Sequence, residues 1–120
     1  MFEQLSQEQH PRILFITCCD SRIEPNLITQ TEPGELFIVR NIGNIIPPYG
    51  TTTDAEGAAI EYALEILGIK DIIVCGHSHC GAVKVLLQIG NLTEQMPLVY
   101  DWLKYAEVTR RIIRENYQYY

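Results

Sequence analysis

Three short stretches of the chain are almost continuously apolar: Arg12 to Thr17 (RILFIT), Glu35 to Arg40 (ELFIVR) and Asp71 to Cys75 (DIIVC). They are rich in β-branched side chains and lack the polar alternation of a half-solvated strand, so they predict strands buried on both faces. Helical patterns lie between and after them. The strongest runs from Thr53 to Gly68, where Ala59, Ala63 and Ile66 beside Ile60, Leu64 and Leu67 form one apolar stripe. Thr53 with Glu56 three residues on predicts a capping box, and Gly68 a left-handed stop. Pro25 opens a shorter helix, Gly81 to Ile89 forms another that Gly90 ends, and Pro97 opens a last one from Leu98 to about Asn116. Strands alternating with helices predict an α/β fold with a parallel sheet between helical layers. Asn41 to Thr52 (NIGNIIPPYGTT) reads as a loop whose paired prolines and apolar residues suit a pocket wall or contact surface.

Composition narrows the partners. The 120 residues predict one domain, 1–120. Fifteen acidic against nine basic residues give a net charge of −6, and the basic ones are scattered apart from Arg110, Arg111 and Arg114. Phosphate binding needs clustered positive charge, so no nucleic-acid partner is expected. The apolar stretches fall short of the roughly 20 residues of a membrane span. The opening Met1-Phe2-Glu3-Gln4 does not resemble an export signal, so a cytoplasmic address and no membrane partner are expected. In that setting Cys18, Cys19, Cys75 and Cys80 read as ligands or core thiols rather than disulfides.

Two of the apolar stretches end in chemistry: the first in TCCDSR, the third in CGHSHCG. If the strand order is 2-1-3, those two ends meet at the switch point where open parallel sheets bind ligands. Side-chain alternation places Cys18 and Asp20 on one side and Cys19 on the other, with Arg22 continuing the series unless a turn intervenes. His77 and Cys80, separated by two residues, can chelate one ion. With Cys18 they make the thiolate and imidazole set that zinc favours, with a fourth position open to water. His79 is the alternative imidazole, but His77 follows Gly76 directly and is nearer the strand end. Cys19 and Cys75 read as core thiols and His10 as solvated. Alone, Asp20 and Arg22 would be an ordinary surface ion pair. Beside a metal, Arg22 can keep Asp20 ionised and off the ion while Asp20 orients a bound hydroxide.

CCDSR, followed by EPGELFIVRNIGNIIPPYG, GAAIEYAL and IIVCGHSHCGA, resembles the β-class carbonic anhydrases, bacterial and cyanobacterial members above all. Their Cys-x-Asp-x-Arg and His-x-x-Cys signatures occur in order, and the resemblance runs from about Leu5 to Tyr117. It implies one Zn2+ per chain on Cys18, His77 and Cys80, a catalytic pair of Asp20 and Arg22, and Asp20 as a fourth zinc ligand in a closed state. It further implies reversible hydration of CO2 to bicarbonate and a proton by zinc-bound hydroxide, in a homodimer or higher oligomer with its active site at the subunit interface. His79 is a relay candidate by its type alone.

The chain departs from the family's pattern at some points. Cys19 stands where relatives usually carry Ser or Ala, and Glu32 where plant-like relatives carry a substrate-contacting Gln. Relatives typically begin with a longer helical arm and continue past ENYQYY into a further helix and two more strands. A chain without those strands is expected to expose the edge of strand three, and the tail Tyr117, Tyr119 and Tyr120 to add to a contact surface. The competing expectation is a zinc-stabilised scaffold or interaction module of the same family without activity. A redox dithiol is disfavoured, because the chain contains no Cys-x-x-Cys.

Overall fold

The three apolar stretches become β1 (Ile13–Cys18), β2 (Leu36–Asn41) and β3 (Asp71–Cys75) of one parallel sheet, in the order β2-β1-β3. The structure is a computed structural model and describes residues 2–50, 53–87, 92–107 and 111–112. Helices α1 (Phe2–Leu5), α2 (Pro25–Thr29), α3 (Ala55–Glu65), α4 (Gly81–Leu87), α5 (Leu92–Gln95) and α6 (Pro97–Leu103) flank the sheet, and a 3-10 turn follows at Lys104–Ala106. This is the α/β architecture expected from the alternation of patterns. In register, Thr17 lies opposite both Arg40 and Cys75, and Cys18 lies opposite Asn41. The carboxyl ends of all three strands therefore finish at one level, with the switch point between β1 and β3.

β1 is the central strand and is buried throughout its second half. Leu14 and Ile16 pack on Ala63 of α3 and on Ile69, with Phe37, Val39, Ile60 and Leu67 around them. Leu14 and Ile16, both fully buried, each contribute about 1.5–3 kcal/mol. Phe15 and Thr17, which alternate to the opposite face, are equally buried. The Thr17 hydroxyl donates to the Cys75 carbonyl at 2.9 Å, tying the ends of β1 and β3 together.

β3 departs from the sequence expectation of a strand buried on both faces. Ile72, Ile73 and Val74 are 44%, 42% and 50% exposed, because β3 pairs with β1 alone and forms an edge. An apolar composition reports that a strand can be covered, not what covers it. Its other expectation, an exposed edge at strand three, is what the structure shows.

The start of α3 is shifted by one residue from the predicted capping box. Asp54, not Thr53, is the N-cap, and its Oδ1 accepts the Gly57 N–H at 2.6 Å. Such a cap contributes about 1 kcal/mol. Glu56 is freed from the predicted reciprocal role and turns inward, its Oε2 at 3.4 Å from Asn41 Nδ2. After the helix, Gly68 adopts a φ of +66°, the left-handed conformation expected there.

The expected long last helix is interrupted. α6 ends at Leu103 and the chain tightens into the 3-10 turn, a common way to close a helix. Leu103 packs on Leu86 of α4, and Trp102 Nε1 donates to the Ile42 carbonyl at 2.7 Å, which fastens α6 to the loop after β2. That loop does form a pocket wall. Gly43, Asn44, Ile45 and Ile46 line a cavity of about 350 Å³ with Ala82, Val83, Leu86 and Leu103. Gly43 is required there, since its φ is +83° and a Cβ would lie 3.1 Å from the Ala82 Cβ. The predicted stop at Gly90, the helix end near Asn116 and the tyrosines 117, 119 and 120 lie outside the described residues.

Candidate metal centre

Cys18 is the last residue of β1, and His77 and Cys80 sit on the loop between β3 and α4. The sulfurs of Cys18 and Cys80 are 3.9 Å apart and both residues are buried. With a ring nitrogen of His77, their ligand atoms all lie within 4.8 Å of one another. Among the described residues this is the one group of three His, Cys, Asp or Glu side chains so placed. The loop reaches this shape through His79, whose φ of +56° is a left-handed conformation uncommon outside glycine. His79 itself is exposed and stands outside the group.

The ring of His77 is oriented by its neighbour. Nδ1 donates to the Ser78 carbonyl at 2.9 Å, which leaves the lone pair on Nε2. Nε2 is buried and makes no hydrogen bond, the only such side-chain nitrogen or oxygen among the described residues. A buried polar atom without a partner costs about 1–3 kcal/mol, so a group that accepts its lone pair is called for. The two sulfurs beside it supply the rest of a metal-ligand set. In a tetrahedral site with metal–sulfur bonds of about 2.3 Å the sulfurs would be about 3.8 Å apart. The observed 3.9 Å separation fits.

Charge is arranged to suit such an ion. Burial opposes ionisation of Cys18, but the neighbouring His77 ring, followed by the backbone at Gly43 and Asp20 and by Cys80, outweighs it and brings the thiol down to about 7. The nearby Cys18 sulfur, followed by the Ser78 carbonyl, raises the His77 imidazole above its ordinary value.

Asp20 stands beside the group without joining it. Its Oδ2 is 3.8 Å from His77 Nε2. Arg22 holds the carboxylate from three directions: Nε to Oδ1 at 2.9 Å, Nη2 to Oδ2 at 2.6 Å and its own backbone N–H to Oδ1 at 2.9 Å. These hydrogen bonds keep Asp20 well below the usual carboxylate range and raise Arg22 in turn. Arg22 Nη2 also donates to the His79 carbonyl at 3.1 Å, so it links the loops that follow β1 and β3. Strand alternation does not extend to Arg22. A turn closed by the Ile23 N–H on the Asp20 carbonyl intervenes, and the side chain folds back.

The remaining sequence expectations divide. Cys19 is exposed rather than a core thiol, because β1 ends at Cys18 and the next residue leaves the sheet. Cys75 is half-buried, with its Sγ 3.4 Å from the Gly76 carbonyl. His10 is exposed, 3.2 Å from Glu8. Sequence reasoning missed Arg40, whose guanidinium donates to carbonyls of the Cys18–Ile23 segment. The signal available was a lone charge closing the apolar run ELFIVR.

The carbonic anhydrase family model matches residues 13–119. A carbonic anhydrase of Synechocystis is 65% identical over 119 residues, 99% of this chain and 43% of that protein. One from Synechococcus elongatus is 60% identical over the full chain and 44% of its own length. Among solved structures, the β-carbonic anhydrase CcaA superposes with a TM-score of 0.95 at 65% identity, over 99% of this chain and 58% of that one. The chain belongs to the carbonic anhydrase family, in its β class. It spans less than half the length of these two curated relatives.

A metal held by these residues must compete with protons, because thiolate and neutral imidazole are the binding forms. As pH falls through about 7, Cys18 regains its proton, and His77, raised above its ordinary value, must shed one to bind. Metal affinity is therefore expected to fall by about tenfold or more per pH unit below 7. Competition with a chromophoric chelator across that range measures this, and a flat profile would contradict the ligand set.

Proposed function

We propose that this chain binds one zinc ion through Cys18, His77 and Cys80 and hydrates CO2 reversibly to bicarbonate and a proton, with Asp20 and Arg22 as its catalytic pair. The observation that carries the reading is the buried, unpartnered Nε2 of His77 beside two thiols, with the anchored Asp20 carboxylate 3.8 Å away. Zinc in such a set supplies a water acidified enough to act as a nucleophile near neutral pH.

The chain's own residues supply the rest. Ser78 fixes the imidazole so that Nε2 faces the two sulfurs. Asp20, kept ionised by Arg22, is an acceptor that can take the hydrogen bond of the attacking water or hydroxide and set its direction. Three Arg22 donors hold the carboxylate back from the ligand group in this conformation, so Cys18, His77 and Cys80 would hold the ion and Asp20 would stay free to accept a hydrogen bond. For Asp20 to serve as a further ligand, those hydrogen bonds would have to break.

Assembly with a second copy and a cytoplasmic address belong to the same reading. The exposed apolar side chains of β3 support a contact surface. Among the described residues no helix is long and apolar enough to cross a membrane. The same uncovered β3, which carries His77 just beyond its end, favours the second reading, a zinc-stabilised scaffold without turnover. Stopped-flow CO2 hydration with the zinc-loaded chain separates the two.

A further inference from the structure

Arg40 is the penultimate residue of β2 and lies opposite Thr17, yet its side chain serves the neighbouring strand's loop. Nε donates to the Cys18 carbonyl at 3.0 Å, and Nη2 donates to the carbonyls of Asp20 and Ile23, each at 2.9 Å. Those carbonyls span the segment that carries the Cys18 thiol, the Asp20 carboxylate and its partner Arg22. Strand pairing fixes this segment only at its start, where Cys18 lies opposite Asn41 and the Cys19 N–H donates to the Asn41 carbonyl at 2.8 Å; beyond that point the chain has left the sheet. One half-buried guanidinium replaces that restraint with hydrogen bonds assisted by its charge. Arg22 holds the Asp20 side chain, and Arg40 holds the main chain from which Cys18, Asp20 and Arg22 project.

We propose that Arg40 is a positioning residue for the metal centre: by gripping the carbonyls of Cys18, Asp20 and Ile23, it aims the Cys18 thiol at the point shared with His77 and Cys80. The proposal rests on the reading of Cys18, His77 and Cys80 as metal ligands. Lysine is a poor substitute, since a point charge on a flexible stem cannot reproduce a planar fork that reaches three oxygens.

The test is zinc affinity, measured by competition with a chromophoric chelator on folded protein, for the parent, R40A, R40K and R12A. R40A is expected to bind zinc about 10–100-fold more weakly, the range typical of residues that orient ligands from behind. R40K should stay several-fold weaker than the parent. R12A removes an arginine of an exposed ion pair with Glu35, at 2.9 Å, and should bind within about twofold of the parent. If R40A does not fold, R40K decides. A folded R40A or R40K with a lower melting temperature but parental zinc affinity would reduce Arg40 to a structural role and overturn the proposal. A parent that binds no zinc would instead overturn the ligand reading itself, and the proposal with it.

Discussion

Replacing His77 with alanine or Cys80 with serine is expected to strip the chain of stoichiometric zinc, the largest effect any single change at this centre should have. Each residue supplies one of only three donors that converge within 4.8 Å. No other described His, Cys, Asp or Glu cluster is placed to compensate. The loss in affinity should exceed the roughly 100-fold typical of changes behind the ligands. Metal analysis after dialysis reads the result directly. His79→Ala is the matched control, since His79 is exposed and outside the group, and it should keep its zinc. Stoichiometric zinc in both His77→Ala and Cys80→Ser would show that the ligands lie elsewhere.

Asp20→Ala should give the opposite pattern: zinc retained, turnover lost. The carboxylate makes no part of the three-donor group, yet its Oδ2 is held 3.8 Å from His77 Nε2. Removing a preorganised group that orients the reacting atoms costs about 100- to 1000-fold in rate. A drop of that size in kcat/KM at unchanged zinc content is expected. Parental turnover in Asp20→Ala would remove Asp20 from the mechanism while leaving the metal reading intact.

Much of this was legible in the sequence because the physics is local. Continuous apolar stretches marked the strands, and two of them ended in sulfur and imidazole at the edge where parallel sheets gather ligands. The order β2-β1-β3 then brought Cys18 and Cys80 to 3.9 Å across 62 positions of chain. What escaped depended on partners that carry no residue signature. Arg40 bonds to main-chain carbonyls, which every residue has, so its targets could not be read from side chains. Thr53 and Asp54 are both good helix caps, and only the path of the chain decided between them, sending Glu56 towards Asn41 instead of back to the cap. Cys19 looked like a core thiol because alternation was carried one residue past the strand's end.

The burial of β3 is a different kind of miss. Its five residues have the composition of an inner strand, and the sheet leaves them at an edge with half of Val74 in solvent. The same strand delivers the chain to His77, so the stiffness of this edge bears on whether the site can work as well as bind.

CO2 hydration followed by stopped flow, on chain loaded with one equivalent of zinc, tests the central claim most directly. The account predicts saturable acceleration over buffer that is lost on chelation and in Asp20→Ala. Stoichiometric zinc with no acceleration over buffer would contradict it, and would leave the centre as a zinc-held scaffold.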